Sequence, residues 1–291
     1  MKLKNRLVHK AFNVNVRRKI GLALGGGGAR GLAHIGVLKV LQQEMIPIDM
    51  IAGTSAGALI GAMFAQDKDV SIIESIALQL NKKKLLSLVD FALHRSGFVG
   101  GRKVGSLLKM IMGHDVTFED LKIPLACVAS DLAEWKEIVI DHGSVLEAVR
   151  ASISIPGIFT VFKWKNRFLI DGGIVNPVPV NVTKRMGADF IIAVDVMPTI
   201  HADDNEVSEK RQEILKEPNI FSVLVQAYHL AQSALTESCI KGADIVIRPN
   251  VGNIGFGDFF RAREFIEQGK IAARDSISEI KKRLEIKEAI L

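Results

Sequence analysis

The sequence predicts an α/β fold, a mostly parallel central sheet with helices on both faces. Three observations carry that expectation. Short apolar runs rich in β-branched residues recur near 20–24, 48–52, 125–130, 137–140, 167–170, 190–196 and 244–248, with helical stretches between them. Strands alternating with helices in this way form parallel sheets, which need cover on both sides. The chain is also long enough, at 291 residues, for one large core, and no Pro-, Gly- or Ser-rich linker and no internal repeat divides it.

The N-terminal segment stands apart. Lys2, Lys4, Arg6, Lys10, Arg17, Arg18 and Lys19 place seven positive charges before Ile20 with no acid among them. The other 31 Lys and Arg are balanced by 32 Asp and Glu, so the net charge of +6 belongs to this arm. The expected division is a basic arm over 1–19 and a single domain over 20–291. With Leu3, Leu7, Val8 and Phe12 interspersed, residues 2–19 suit contact with an anionic membrane, at about 1 kcal/mol per basic residue near the surface. A solvated tail is the alternative. Nucleic-acid binding is not expected, because aromatic interleaving is nearly absent. The arm and the following apolar run have the outline of a signal peptide, but four glycines break the run and no cleavage site follows.

The first strand, Ile20–Leu24, runs into Gly25-Gly26-Gly27-Gly28-Ala29-Arg30-Gly31, followed by a helical pattern from Leu32 to about Gln43. Consecutive glycines let main-chain N–H groups converge on one point with no side chain in the way. That suits an oxyanion hole built from Gly26, Gly27 and Gly28. The same Gly26-x-Gly28-x-x-Gly31 pattern is also a dinucleotide fingerprint, for which Asp49 would be the ribose partner. Asp49, however, starts the next strand, and the nucleotide reading leaves two later motifs without a role.

The first of these is Gly53-Thr54-Ser55-Ala56-Gly57, between the apolar run 50–52 and the helical run 58–65. G-x-S-x-G between strand and helix is a nucleophile elbow: a turn so tight that glycines must flank the serine, which then stands clear at a helix N-terminus. A serine that only caps the helix is the alternative. The second is Asp171-Gly172-Gly173, where the strand 168–170 ends in a carboxylate beside two glycines. Desolvation raises the pKa of such an aspartate toward that of a useful base.

Together, Gly26-Gly27-Gly28-Ala29-Arg30-Gly31, Gly53-Thr54-Ser55-Ala56-Gly57 and Asp171-Gly172-Gly173 resemble the patatin-like phospholipase family. Ser152-Ile153-Ser154-Ile155-Pro156 and Gly255-Phe256-Gly257-Asp258-Phe259 are similar to segments of its bacterial, neuropathy-target-esterase-like branch, and the resemblance spans roughly 18–275. It implies a three-layer sandwich related to α/β hydrolases and a serine acyl hydrolase with a Ser55–Asp171 dyad. It also implies no catalytic histidine, metal or cofactor, and a lipid or acyl-ester substrate. An acyltransferase on the same dyad and a non-catalytic membrane-associated signalling protein are the alternatives.

Other residues compete for these roles. His201 and His229 follow Asp171, the order of a Ser–acid–His triad, but one lies in a charged stretch and the other in a helical pattern over 221–240. Asp131 and Asp195 are strand-associated carboxylates that would more ordinarily cap a turn. His34 reads as structural, and Arg30 as the partner of a nearby carboxylate in preference to a substrate phosphate. The stretch 200–218 suits a surface loop or a lid, and helix 66–86 with segment 90–105 would shape the acyl pocket. The apolar run Met50–Ala65 in the core is 16 residues, short of the roughly 20 that span a bilayer. Cys127 and Cys239 read as buried thiols of a reducing compartment, which implies a cytoplasmic protein touching the inner leaflet only peripherally, if the arm binds there.

Overall fold

A computed structural model describes residues 17–67, 69–79, 97–99, 101–113, 116–198, 219–252 and 257–285. The expectations for residues 1–16, for 80–86 and 90–96 of the acyl-pocket segments, for His201 and the stretch 200–218, and for Gly255-Phe256 lie outside the described residues.

Among the described residues ten strands form in chain order: β1 (Ile20–Leu24), β2 (Met50–Thr54), β3 (Gly97–Val99), β4 (Leu125–Asp131), β5 (Lys136–Ile140), β6 (Gly157–Phe159), β7 (Phe162–Trp164), β8 (Arg167–Asp171), β9 (Phe190–Val194) and β10 (Ile245–Ile247). The helices are α1 (Ala33–Gln43), α2 (Ala56–Ala65), α3 (Val70–Leu78), α4 (Gly101–Met112), α5 (Val145–Ser152), α6 (Val180–Arg185), α7 (Ile220–Cys239) and α8 (Ala262–Arg283). The main sheet has the order β10-β9-β1-β2-β4-β8-β7, with β5 also paired to β4. From β10 to β4 all pairings are parallel, whereas β5 and β8 run antiparallel to β4 and β7 antiparallel to β8. β3 and β6 pair in a separate parallel ribbon.

The two faces of the sheet differ in residue size, as the period of two demands. Ile20, Leu22 and Leu24 of β1, Ile51 of β2 and Phe190, Ile192 and Val194 of β9 enter one large core with α1, α2, α5 and α8. Their alternates, Ala23, Ile191 and Ala193, pack with Val178, Val180 and Ile240 on the other face, and Ala52 and Ala126 pack there with Val182. Small residues on that face bring the short α6 close to the sheet. On the first face α1 and α8 touch backbone to backbone: a Cβ at Gly36 would lie 2.0 Å from Ile266 O, and one at Gly269 2.0 Å from Ala33 O.

The expected strands all form, but β2 begins two residues later than expected, so Thr54 is its last residue and Ser55 follows directly. β3, β6 and β7 were not foreseen; each has three residues, too short for a visible alternation. Of the helix expected over 66–86, α3 covers Val70–Leu78, started by Asp69 accepting from Ser71 N–H. The end of the basic arm is tied to the domain. Arg17 pairs with Asp49 at 2.5 Å, and Lys19 N–H donates to Asp189 at 2.9 Å.

β4 decides where the chemistry sits. Cys127–Asp131 pair with β5 along one edge. The opposite edge is shared: Leu125–Val128 pair with β2, and Ala129–Asp131 with β8. β2 runs parallel to β4 and β8 antiparallel, so their carboxyl ends meet head-on, Thr54 opposite Val128 and Asp171 opposite Ala129. Strand pairing alone thus brings Ser55 to Asp171.

Candidate active site

Ser55 has φ 54° and ψ −120°, a conformation that L residues avoid and that tight elbows impose. The surrounding close packing explains the glycines. A Cβ at Gly53 would lie 2.6 Å from the Ala58 backbone, and one at Gly57 2.2 Å from Leu24 O. Gly31 packs against Ala56, leaving no room for a side chain. The Ser55 N–H donates to Ser152 Oγ at 2.8 Å, and that hydroxyl donates to Val128 O at 2.6 Å. Ser55 is 3% exposed at the N-terminus of α2.

Asp171 is fully buried and held through its backbone as well as its side chain. Its N–H donates to Ser154 O at 3.0 Å, and its carbonyl accepts from Ser130 Oγ at 3.0 Å. Oδ1 accepts from Gly173 N–H at 2.8 Å and from Tyr228 OH at 2.7 Å, whereas Oδ2 is buried and accepts no hydrogen bond. Burial pushes the carboxyl up to about 6, against the opposing pull of the Ser55 hydroxyl, which lies nearby without a hydrogen bond formed, and of the Gly173 N–H and the Tyr228 phenol bonded to Oδ1. Gly172 and Gly173 are required by close approach: Cβ atoms there would lie 2.3 Å from Val128 O and run into the Gln232 amide.

The segment Ser152–Ser154, singled out in the sequence without a role, clamps both groups: Ser152 holds the Ser55 amide, and Ser154 the Asp171 amide. Arg150, buried and donating to Ser154 Oγ at 2.5 Å and Thr160 O at 2.9 Å, fixes that segment.

The glycine loop passes directly over the serine; a Cβ on Gly26 would lie 3.3 Å from Ser55 Cβ. The three glycines expected to form the oxyanion hole differ in their hydrogen bonding. Gly26 N–H donates to Pro177 O at 2.9 Å, as Gly25 N–H does to Val194 O at 3.0 Å. Gly27 and Gly28 N–H have no backbone acceptor among the described residues. His34 Nε2 lies 2.8 Å from Gly25 O, and burial lowers its pKa to about 4, so a neutral ring anchors the loop. Arg30 is largely desolvated beside the carboxylate of Asp258.

The competing residues have other duties. Asp131 accepts from Ala133 and Glu134 N–H and from Arg167 Nη1 at 2.5 Å, capping the β4–β5 turn. Asp195 accepts from Met197 N–H at 2.9 Å and Arg248 Nε at 3.2 Å. Asp49 accepts from Ile20 N–H at 2.7 Å before β2, at the opposite end of the sheet from the glycine loop, where it serves no nucleotide. His229 packs edge-on to Tyr228 with ring centroids 5.7 Å apart; burial lowers its pKa to about 4. It lines a second cavity with Arg30.

Tyr228 and Gln232 were missed. Gln232 Nε2 donates to Tyr228 OH at 3.0 Å, so the phenol proton is left for Asp171. The available signal was that Tyr228 is the sole tyrosine of the chain, in the helix already considered for His229. Beside Ser55 opens a cavity of about 330 Å³, walled by Leu59, Met63, Ile73, Leu107, Ile155 and Phe159 among other apolar side chains. Cys127 is buried, whereas Cys239, expected to be buried, is only partly so. Among the described residues no helix is long and apolar enough to cross a membrane.

A serine elbow on a largely parallel sheet, facing a buried carboxylate beneath a glycine loop, defines a class of α/β protein built like the serine hydrolases. Within that class the chain belongs to the patatin-like phospholipase family, whose family model matches residues 22–184. It is 37% identical over 182 residues to neuropathy target esterase sws of Drosophila melanogaster, covering 61% of this chain and 13% of that protein. It is 28% identical over 267 residues to lysophospholipase NTE1 of Scheffersomyces stipitis, covering 86% of this chain and 17% of that one. The chain thus spans less than a fifth of either relative. Among solved structures, VipD from Legionella pneumophila shares the fold, with a TM-score of 0.51 at 13% identity over 90% of this chain and 67% of that one.

Proposed function

We propose that this protein is a serine acyl hydrolase cleaving carboxylic esters of lipids, of phospholipase or lysophospholipase type, with Ser55 as nucleophile and Asp171 as base. The observation that carries the proposal is the head-on meeting of β2 and β8. It sets a strained serine against a desolvated carboxylate at the mouth of an apolar cavity. A fatty acyl chain fills the cavity and leaves its ester carbonyl at Ser55. Asp171 takes the hydroxyl proton as Ser55 Oγ attacks, through Oδ2, the carboxylate oxygen with no other donor. Gly27 and Gly28 N–H then stabilise the oxyanion, each such donor contributing about a hundred- to thousandfold in rate. The alcohol leaves with the proton, and water activated by Asp171 releases the acid. The lysophospholipase named among the relatives supports a lipid ester as substrate.

Both cysteines are free thiols, which supports a cytoplasmic location. Contact of residues 2–19 with an anionic inner leaflet belongs to the same proposal.

The test is labelling with a fluorophosphonate probe, followed by a panel of esters of increasing chain length. Wild-type protein labels and turns over, and Ser55→Ala does neither while keeping its circular dichroism. Undiminished turnover in Ser55→Ala would refute the mechanism.

A further inference from the structure

Both tryptophans of the chain, Trp135 and Trp164, lie in two adjacent turns at one edge of the sheet. Trp135 is in the β4–β5 turn with φ 52° and is 88% exposed. Trp164 ends β7 opposite Arg167, the first residue of β8. The turns are locked together: Arg167 bridges Asp131 at 2.5 Å and Glu134 at 2.8 Å, and Leu132 N–H donates to Phe168 O at 3.1 Å. The joined turns leave apolar side chains outward, with Leu132 43% and Phe168 52% exposed in addition to Trp135. Lys163 and Lys165 are exposed around them, and Lys165 Nζ lies 4.3 Å from the Trp164 ring centroid.

Nothing in the acyl-hydrolase chemistry uses these residues, yet their place relative to it is fixed. β4 and β7 point the same way, so both turns project from the carboxyl end of the sheet, the end that carries Ser55. From Arg167 to Asp171, β8 runs four residues, so the turns stand about 13 Å beyond the carboxylate along the strands.

We propose that the paired turns 131–136 and 164–168 form an anchor that seats this end of the sheet on an anionic lipid surface. The choice of occupant rests on the lipid-ester reading of the active site and on three further points. Exposed Trp with Leu and Phe ringed by Lys is the composition that partitions into the headgroup layer, indole and ammonium at the wet side and apolar bodies below. Within the turns Lys136, Lys165 and Arg167 outnumber the acids Asp131 and Glu134 by one, and Lys163 adjoins them, so the tips carry a positive balance that complements an anionic surface. Two projecting turns with three exposed apolar side chains also offer far less than the roughly 800 Å² per partner of a stable protein interface. The anchor is distinct in sequence from the basic arm and supplies orientation, which a polybasic segment alone does not.

The tryptophans themselves provide the test. Intrinsic emission of the full chain is followed on adding phosphatidylcholine vesicles with and without about 30 mol% phosphatidylglycerol. The expected result is a blue shift on the anionic vesicles, persisting in Trp164→Phe, where Trp135 is the sole reporter. The double variant Leu132→Ala/Trp135→Ala should sediment with those vesicles about tenfold less well, while hydrolysis of a soluble short-chain ester is unchanged. Sedimentation with vesicles and no change in Trp135 emission would overturn the proposal and assign binding to another surface, such as the arm. An equal shift on pure phosphatidylcholine would overturn the anionic preference. Absence of ester turnover with the emission shift intact would defeat the hydrolase reading and leave the anchor standing.

Discussion

The phenol of Tyr228 donates to one oxygen of Asp171 at 2.7 Å, while the other oxygen is buried without a hydrogen bond. The two oxygens of one carboxylate are therefore unequal. Oδ1 is saturated by Tyr228 and Gly173, and the remaining basicity is directed at Oδ2. Burial beside Asp171 raises the phenol well above its ordinary value, so Tyr228 remains a donor across the working range.

Loss of that donor should appear in the pH profile. With Asp171 titrating at about 6, kcat/KM of the wild type rises through that pH and then levels. Hydrogen bonds to charged groups are worth about 1.5–3 kcal/mol, so Tyr228→Phe should move the acid limb up by about one to two units. Activity on the alkaline plateau should be largely kept. A profile superimposable on the wild type would remove Tyr228 from the mechanism.

Asp171 itself should trade stability against function. Its folded pKa of about 6 lies above the ordinary 3.8, so the folded state binds the extra proton between these values. The associated stability is fully present below pH 3.8 and is lost as pH rises through 6, by about 3 kcal/mol for a shift of this size. Asp171→Asn lacks this term. Relative to wild type its melting temperature should climb from pH 4 to pH 7, while turnover falls about a hundred- to ten-thousandfold. A pH-independent difference would show that the carboxylate is not desolvated in solution. His229→Ala should keep most of its activity, and a comparable loss there would restore the triad.

Ser152→Ala should damage catalysis without touching substrate. It removes the acceptor of the Ser55 N–H and the donor to Val128 O. Leaving such buried groups unsatisfied costs about 1–3 kcal/mol. We expect a lowered kcat with KM nearly constant, because the strained elbow relaxes while the cavity is unaltered. A raised KM at constant kcat would place Ser152 in substrate binding instead.

Filling the cavity should separate long from short substrates. Leu107→Trp projects bulk into the 330 Å³ space, so long-chain esters should lose most of their kcat/KM while acetyl esters keep theirs. Equal losses on both would mean that the acyl chain lies elsewhere.

Much of this was legible because backbone geometry leaves marks in sequence. Gly53, Gly57, Gly172 and Gly173 stand where a Cβ would strike neighbouring atoms, and it was through them that Ser55 and Asp171 were singled out as candidates. The long strands were readable from runs that are buried along their whole length, as in β1 and β9. Tertiary partners were not. Nothing around Gly26 signals that its N–H is taken by Pro177, and the tie of Tyr228 to Asp171 depends on how α7 crosses the end of β8. β6 and β7 form because β3 and β8 offer edges to them, not because three residues show a period.

The shared edge of β4 makes turnover a witness to strand register. Sliding β8 by one residue against β4 would shift Asp171 by about 3.4 Å and turn its side chain to the opposite face of the sheet. Such a chain would keep its strands, its helices and its far-ultraviolet spectrum, yet Ser55 and Asp171 would never meet. In a refolded sample, the gap between recovered circular dichroism and titratable Ser55 would therefore count misaligned molecules that structural spectroscopy alone passes as native.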